Sequence, residues 1–123
     1  MQFPIDWPPA CPPDDSLAAN GTYFRVGRNN PPSGDDFRSQ AELSQAVNGN
    51  ACLRVGLSTL RTFFDAEHLT RMNRRLGSVI YRGELDATHG KSKLTSSRQS
   101  PSHTTWWPCE GIDRAARFTV VEA

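Results

Sequence analysis

The chain has 123 residues, with 14 basic and 13 acidic side chains and a net charge of +1. That length holds one core and is short for two ordinary domains, and the balanced charge gives no global pull toward nucleic acid or acidic membranes. Leu, Ile, Val and Phe number 24, just under the ~20% level associated with disorder, but the low net charge favours a folded domain carrying loosely structured attachments.

No apolar run approaches the ~18 residues of a membrane span. The start, Met1-Gln2-Phe3-Pro4-Ile5-Asp6, has neither the basic region nor the apolar stretch of a signal peptide. Cys11, Cys52 and Cys109 are odd in number and show no CxxC spacing. Neither a disulfide framework nor a zinc ribbon is indicated, so the expectation is a reduced, cytoplasmic protein.

Residues 1–20 hold Pro4, Pro8, Pro9, Pro12 and Pro13 with Asp6, Asp14 and Asp15, and no basic residue. Proline removes donors and fixes φ, so the segment reads as an extended arm. Phe3, Ile5 and Trp7 alternate along it and are expected to lay one face on the domain, with a second subunit as the alternative. Thr22-Tyr23-Phe24-Arg25-Val26 has strand composition and ends at Gly27, and Asn29 through Gly34 is loop chemistry. Ser39 and Glu42 have capping-box spacing ahead of Ala41, Leu43, Ala46 and Val47, which predicts a short helix closed by Asn48-Gly49-Asn50. Leu53, Val55 and Leu57 alternate with Cys52, Arg54 and Gly56 and predict a half-buried strand.

Thr62 with Asp65 forms a second capping box. Phe63, Ala66, Leu69, Met72 and Leu76 then make one apolar stripe, with Arg74 and Arg75 at the negative end and Gly77 as the stop, so a principal helix is expected near 63–76. Val79, Tyr81 and Leu85 face one side of a strand, Arg82, Glu84 and Asp86 the other, and a last strand covers 117–121. Residues 87–105, where Ala87 and Leu94 are the only apolar residues, read as a long polar loop returning to the fold at Trp106-Trp107-Pro108.

Chemistry is sparse. Gly90-Lys91-Ser92 lacks the earlier glycine of a Walker loop, since position 85 is Leu. His103 and Cys109 are the only neighbouring metal donors, and two donors do not hold a tetrahedral zinc. Cys109 with His103 and Glu110 has the types of a thiol nucleophile, but behind Trp107 and Pro108 a cysteine reads more simply as a buried small hydrophobe. The basic set is fuller: Arg71, Arg74, Arg75 and Arg82 at the helix end and strand, and Lys91, Lys93 and Arg98 in the loop. With Tyr81, Trp106 and Trp107 for stacking, these side chains have the composition of an anion or nucleic-acid face.

Arg25 on a first strand, Ser58-Thr59 ending a later one and Glu84 or Glu122 beyond it loosely resemble the layout of ADP-ribosyltransferases. The resemblance implies that the Arg and Ser support NAD and the Glu polarises the ribose, although no Glu-x-Glu or Gln-x-Glu pair is present. Asn30 through Ser39, and Gly56-Leu57-Ser58 through Asp65-Ala66, resemble small bacterial proteins without an assigned activity. That resemblance implies a bacterial or phage-borne, intracellular setting.

The expected fold is one α+β domain over 21–123 behind the 1–20 arm. Its mostly antiparallel sheet has about four strands, covered by the 63–76 helix, with a short second helix. The expected function is a non-enzymatic binding or accessory module, without cofactor or metal, whose contact surface is the 87–107 segment with its Trp pair. An NAD-using transferase through Arg25, Ser58 and Glu84 is the enzyme alternative. Binding of an anion or nucleic acid through Arg74, Arg75, Arg82, Lys91, Lys93, Arg98, Trp106 and Trp107 is the other. A homodimer and an anionic ligand are the partners considered, and no membrane is expected.

Overall fold

Tyr23 and Phe24 are neighbours in sequence and point to opposite faces of a strand, and that alternation organises the whole molecule. In a computed structural model describing residues 2–43 and 50–121, β2 (Gly21–Gly27) pairs antiparallel with β4 (Val79–Leu85) along its full length. The remaining strands are β1 (Leu17–Ala18), β3 (Leu57–Leu60), β5 (Gly90–Leu94), β6 (His103–Pro108) and β7 (Phe118–Val120). Together they form one seven-stranded sheet in the order β1-β5-β6-β3-β2-β4-β7, with every pairing antiparallel.

The four-strand expectation is therefore corrected. β1, β5 and β6 are the additional strands, and two of them come from the stretch read as a polar loop. Gly90–Leu94 and His103–Pro108 pair across five positions, from Gly90 with Pro108 to Leu94 with Thr104. Their polar groups are consumed inside the fold: the Tyr23 and Ser92 hydroxyls meet at 2.8 Å, and the Thr104 main-chain carbonyl accepts from the Thr59 hydroxyl at 2.7 Å. Buried hydroxyls with partners cost little, so the strand forms without an apolar pattern.

One face of the sheet carries the core: Tyr23, Leu57, Tyr81, Leu85, Trp106 and Phe118, joined by Ala19 and Phe37 and flanked by Ile112 and Ala115. Helix α2 (Phe63–Met72) lies on the other face, where the Phe63 ring meets Phe24 edge-on at 6.2 Å. The helix stripe was expected to be the main buried surface. Ala66 is buried and Leu69 half-buried, but Phe63, Met72 and Leu76 remain exposed. The principal core sits under the 109–117 connection instead.

Leu53 and Val55, read as strand, belong to α1 (Ala51–Val55). The Asn50 side chain accepts from the amides of Cys52 and Leu53, capping a helical turn where alternation alone suggested extension. The strand begins two residues later, at Leu57. Ser39 and Glu42 bond reciprocally, Ser39 N–H to the Glu42 carboxylate at 2.8 Å and Glu42 N–H to the Ser39 hydroxyl at 3.1 Å. The box opens a turn, and the Ala46–Val47 portion of the expected helix lies outside the described residues. At Gly77, φ is +111° and an added Cβ would collide with the Gly27 carbonyl, so both backbone conformation and close approach require glycine.

The arm is held to the body at a few points. Phe3 and Trp7 do not share a docking face with Ile5. A turn closed by Trp7 N–H to the Pro4 carbonyl stacks their rings at 5.6 Å and leaves Ile5 fully exposed. Cys11 and Cys52 form a disulfide, and Cys109 is free and buried. The expectation of three reduced thiols is thereby corrected, and with it the basis for a cytoplasmic setting. No helix among the described residues is long and apolar enough to cross a membrane.

Candidate binding surface

Helix α2 is fastened at its start and left open along its outer side. The Thr62 hydroxyl accepts the Asp65 amide at 3.1 Å, and the buried Asp65 carboxylate accepts the Ser102 amide at 2.9 Å and hydroxyl at 2.5 Å. The Ser102 hydroxyl is the main reason that the Asp65 carboxyl titrates below its usual range; burial opposes the shift, and the Ser102 amide adds to it. These bonds fix the helix origin against the turn that leads into β6.

Phe64, His68 and Met72 recur at four-residue spacing along the outer side. Phe64 is 74% exposed and Met72 55% exposed, and the Phe64 and His68 rings lie parallel at 6.4 Å. Leu76 continues the apolar surface through the 3₁₀ turn Arg74–Leu76, which begins where Asn73 ends the helix and caps the Arg75 amide. Arg71 pairs with Glu67 at 2.7 Å, and Arg28 donates to the Arg75 carbonyl. No carboxylate among the described residues pairs with Arg74 or Arg75. The result is an exposed apolar strip ending in free positive charge.

The basic set does not form one face. Arg74, Arg75 and Arg82 lie at the α2 end and on β4, whereas Lys91 and Lys93 are on β5, four strand positions away in the sheet. At ~4.8 Å per strand that is roughly 19 Å. Arg82 pairs with Glu84 at 3.4 Å and Lys93 with Asp15 at 2.7 Å, and Arg98 is exposed in the β5–β6 turn. Trp106 and Trp107 are fully buried. The Trp106 indole donates to the His89 carbonyl at 3.0 Å and the Trp107 indole to the Cys52 carbonyl at 2.9 Å. Neither ring presents a stacking platform.

Arg25, Ser58 and Glu84 do not converge in one cleft. β2 and β3 pair only at Phe24 with Leu60, and the Arg25 guanidinium fills the divergence beyond that point. It donates to the carbonyls of Asp36 at 2.8 Å, Ser58 at 2.7 Å and Arg38 at 3.4 Å and lies over the Phe37 ring. Burial, then the charge of Arg114, pushes its pKa down to about 10. Strand alternation puts Ser58 and Glu84 on the α2 face, opposite Arg25, and Glu84 accepts from the Thr22 hydroxyl there at 2.6 Å. Arg25 meets Ser58 through main chain alone, and Glu122 lies outside the described residues.

Cys109 and His103 sit at opposite ends of β6, about 20 Å apart at ~3.3 Å per residue. The Cys109 thiol donates to the Thr88 carbonyl, and the His103 ring bonds Thr95. Burial depresses the His103 pKa, partly offset by the ring's bond to the Thr95 main-chain carbonyl. No group of three or more His, Cys, Asp or Glu suited to a metal occurs among the described residues. Sequence reasoning missed the exposed side of α2 because it assigned Phe63, Met72 and Leu76 to the core. The four-residue spacing of Phe64, His68 and Met72 was the available signal. No family model, curated protein or solved structure matches the chain.

Proposed function

We propose that this protein is a small non-enzymatic binding module whose contact face is the outer side of α2 and the turn beyond it. The supporting observation is that Phe64 and, two helical turns on, Met72 are exposed to solvent while similar side chains on the other sheet face are fully buried. A row of exposed apolar side chains along one helix side marks a contact site more often than an isolated exposed residue does. Arg74 and Arg75 give the strip a cationic end, which selects a protein partner offering apolar anchors next to carboxylates. The anionic-partner reading is thereby narrowed to the α2 end, and Lys91, Lys93, Trp106 and Trp107 have no part in it.

The test places a photo-crosslinking residue at position 64 in the native cell, with position 5 as an exposed control outside the face. The expected result is a protein adduct of defined mass at 64 and not at 5, lost in Arg74→Glu/Arg75→Glu. Equal labelling at both positions, an adduct indifferent to those substitutions, or a nucleic-acid adduct would overturn the reading.

A further inference from the structure

The Cys11–Cys52 bond joins the arm to α1, which is otherwise held by the Trp107 indole on the Cys52 carbonyl at 2.9 Å and by the Ala41 amide on the Arg54 carbonyl at 3.1 Å. The arm is tied at its ends, where Gln2 accepts the Glu110 amide at 2.8 Å, β1 pairs with β5, and Asp15 meets Lys93. Between residues 3 and 14, the disulfide is the one covalent or polar link to the body among the described residues. Its other end lies in α1, a five-residue helix with no buried side chain, too short to persist by its own hydrogen bonds. Both half-cystines are half-buried rather than enclosed, so a small thiol has access.

Two further features bear on the consequence of reduction. Ala10, next to Cys11, has φ +58° in the turn that follows Pro9, an uncommon conformation for a non-glycine residue. On the body side, β3 retains its four-residue pairing with β6 beyond Gly56, and the core lies across the sheet. Loss of the disulfide therefore removes no strand ladder, and the bond from the buried Trp107 indole to the Cys52 carbonyl is the contact through which α1 still meets β6.

We propose that Cys11–Cys52 is a redox clasp, whose reduction frees residues 3–14 and loosens α1 while the sheet stays folded. One dithiol carries the step. A thiolate attacks one sulfur to form a mixed disulfide, its second thiolate resolves that intermediate, and the products are Cys11 and Cys52 as thiols and the reductant as a cyclic disulfide. Two electrons and two protons pass from the dithiol to the clasp. The bond forms readily in an oxidising compartment, and transfer to a reducing one opens it.

The test is hydrogen exchange read by mass spectrometry on the full chain, oxidised and then treated with dithiothreitol, alongside Cys11→Ser/Cys52→Ser. The expected result is a gain of 2 Da on reduction. Exchange should rise at least tenfold in peptides from 51–55 and proteolytic cleavage within 3–14 should accelerate at least tenfold, with exchange in β2, β4 and β6 unchanged, and the double variant should match the reduced protein with or without reductant. Loss of protection across β2, β4 and β6 would make the bond a global staple and overturn the proposal. Unchanged cleavage of the arm, unchanged exchange at 51–55, or no mass change on reduction would overturn it as well. A ligand-free readout keeps this result separate from the fate of the α2 docking face.

Discussion

Tyr81 and Asp36 hold the same residue, Asn29, from two sides. The Tyr81 hydroxyl donates to the Asn29 carbonyl at 2.6 Å and accepts its amide at 3.0 Å, while the Asn29 side-chain amide donates to the Asp36 carboxylate at 3.0 Å. The same carboxylate accepts the amides of Arg28 and Ser33, both at 2.9 Å. The Asn29–Gly34 loop is thus pinned to β4 by one phenol and closed on itself by one carboxylate.

Tyr81→Phe keeps the ring packed against Phe37, at 5.6 Å between centroids, and removes both bonds to Asn29. The expected loss is about 1–3 kcal/mol, the cost of leaving buried polar groups unpaired. Urea denaturation measures the loss, and faster amide exchange confined to residues 28–36 distinguishes the local cause from a general one.

Asp36 makes stability pH-dependent. Burial by itself would raise its pKa, but the Arg28 and Ser33 amides and the Asn29 side chain outweigh it and hold the value at about 2. A depressed carboxyl contributes stability that is complete above its unfolded value of ~4 and is lost as pH falls from there toward 2. The contribution is roughly 2 kcal/mol. Denaturation midpoints should fall between pH 5 and pH 2 in the wild type, and Asp36→Asn, weaker throughout, should show a shallower fall.

The two faces of the sheet should respond differently to truncation. Trp106→Ala opens a cavity in the principal core and is expected to cost about 3–5 kcal/mol. Phe64→Ser, on the exposed side of α2, is expected to change stability by less than ~0.5 kcal/mol. Chemical denaturation of both variants checks the pair, and a large loss in Phe64→Ser would return α2 to the core.

Arg25→Lys tests whether the guanidinium is a structural wedge. Three carbonyls from separate segments, Asp36, Arg38 and Ser58, accept from its fork, and one ammonium does not reach all three. A stability loss of about 1–3 kcal/mol is expected, with increased exchange at both 36–38 and 57–60. Retained stability and protection would show that the fork is not what joins these segments.

Features whose partners are close along the chain could be read from the residues alone. The Thr62 cap on the Asp65 amide, the Ser39–Glu42 pair and the alternation of Val79, Tyr81 and Leu85 all act within a few residues, so composition and spacing sufficed; the helix expected to run to Gly77 ends instead at Asn73, and Gly77 closes the 3₁₀ turn after it. The other features depend on partners that folding brings in from far along the chain. Residues 90–94 and 103–108 became strands because distant groups, Tyr23 for Ser92 and Thr59 for the Thr104 carbonyl, satisfy their polar atoms. Cys11 found Cys52 across 41 residues, a pairing that an odd count of cysteines conceals. Trp106 and Trp107 are both buried because different layers cover the two faces of β6, and Phe64 is exposed because nothing described covers the outer side of α2. Periodicity tells which residues share a face; only the packed sheet decides which faces meet another layer and which meet water.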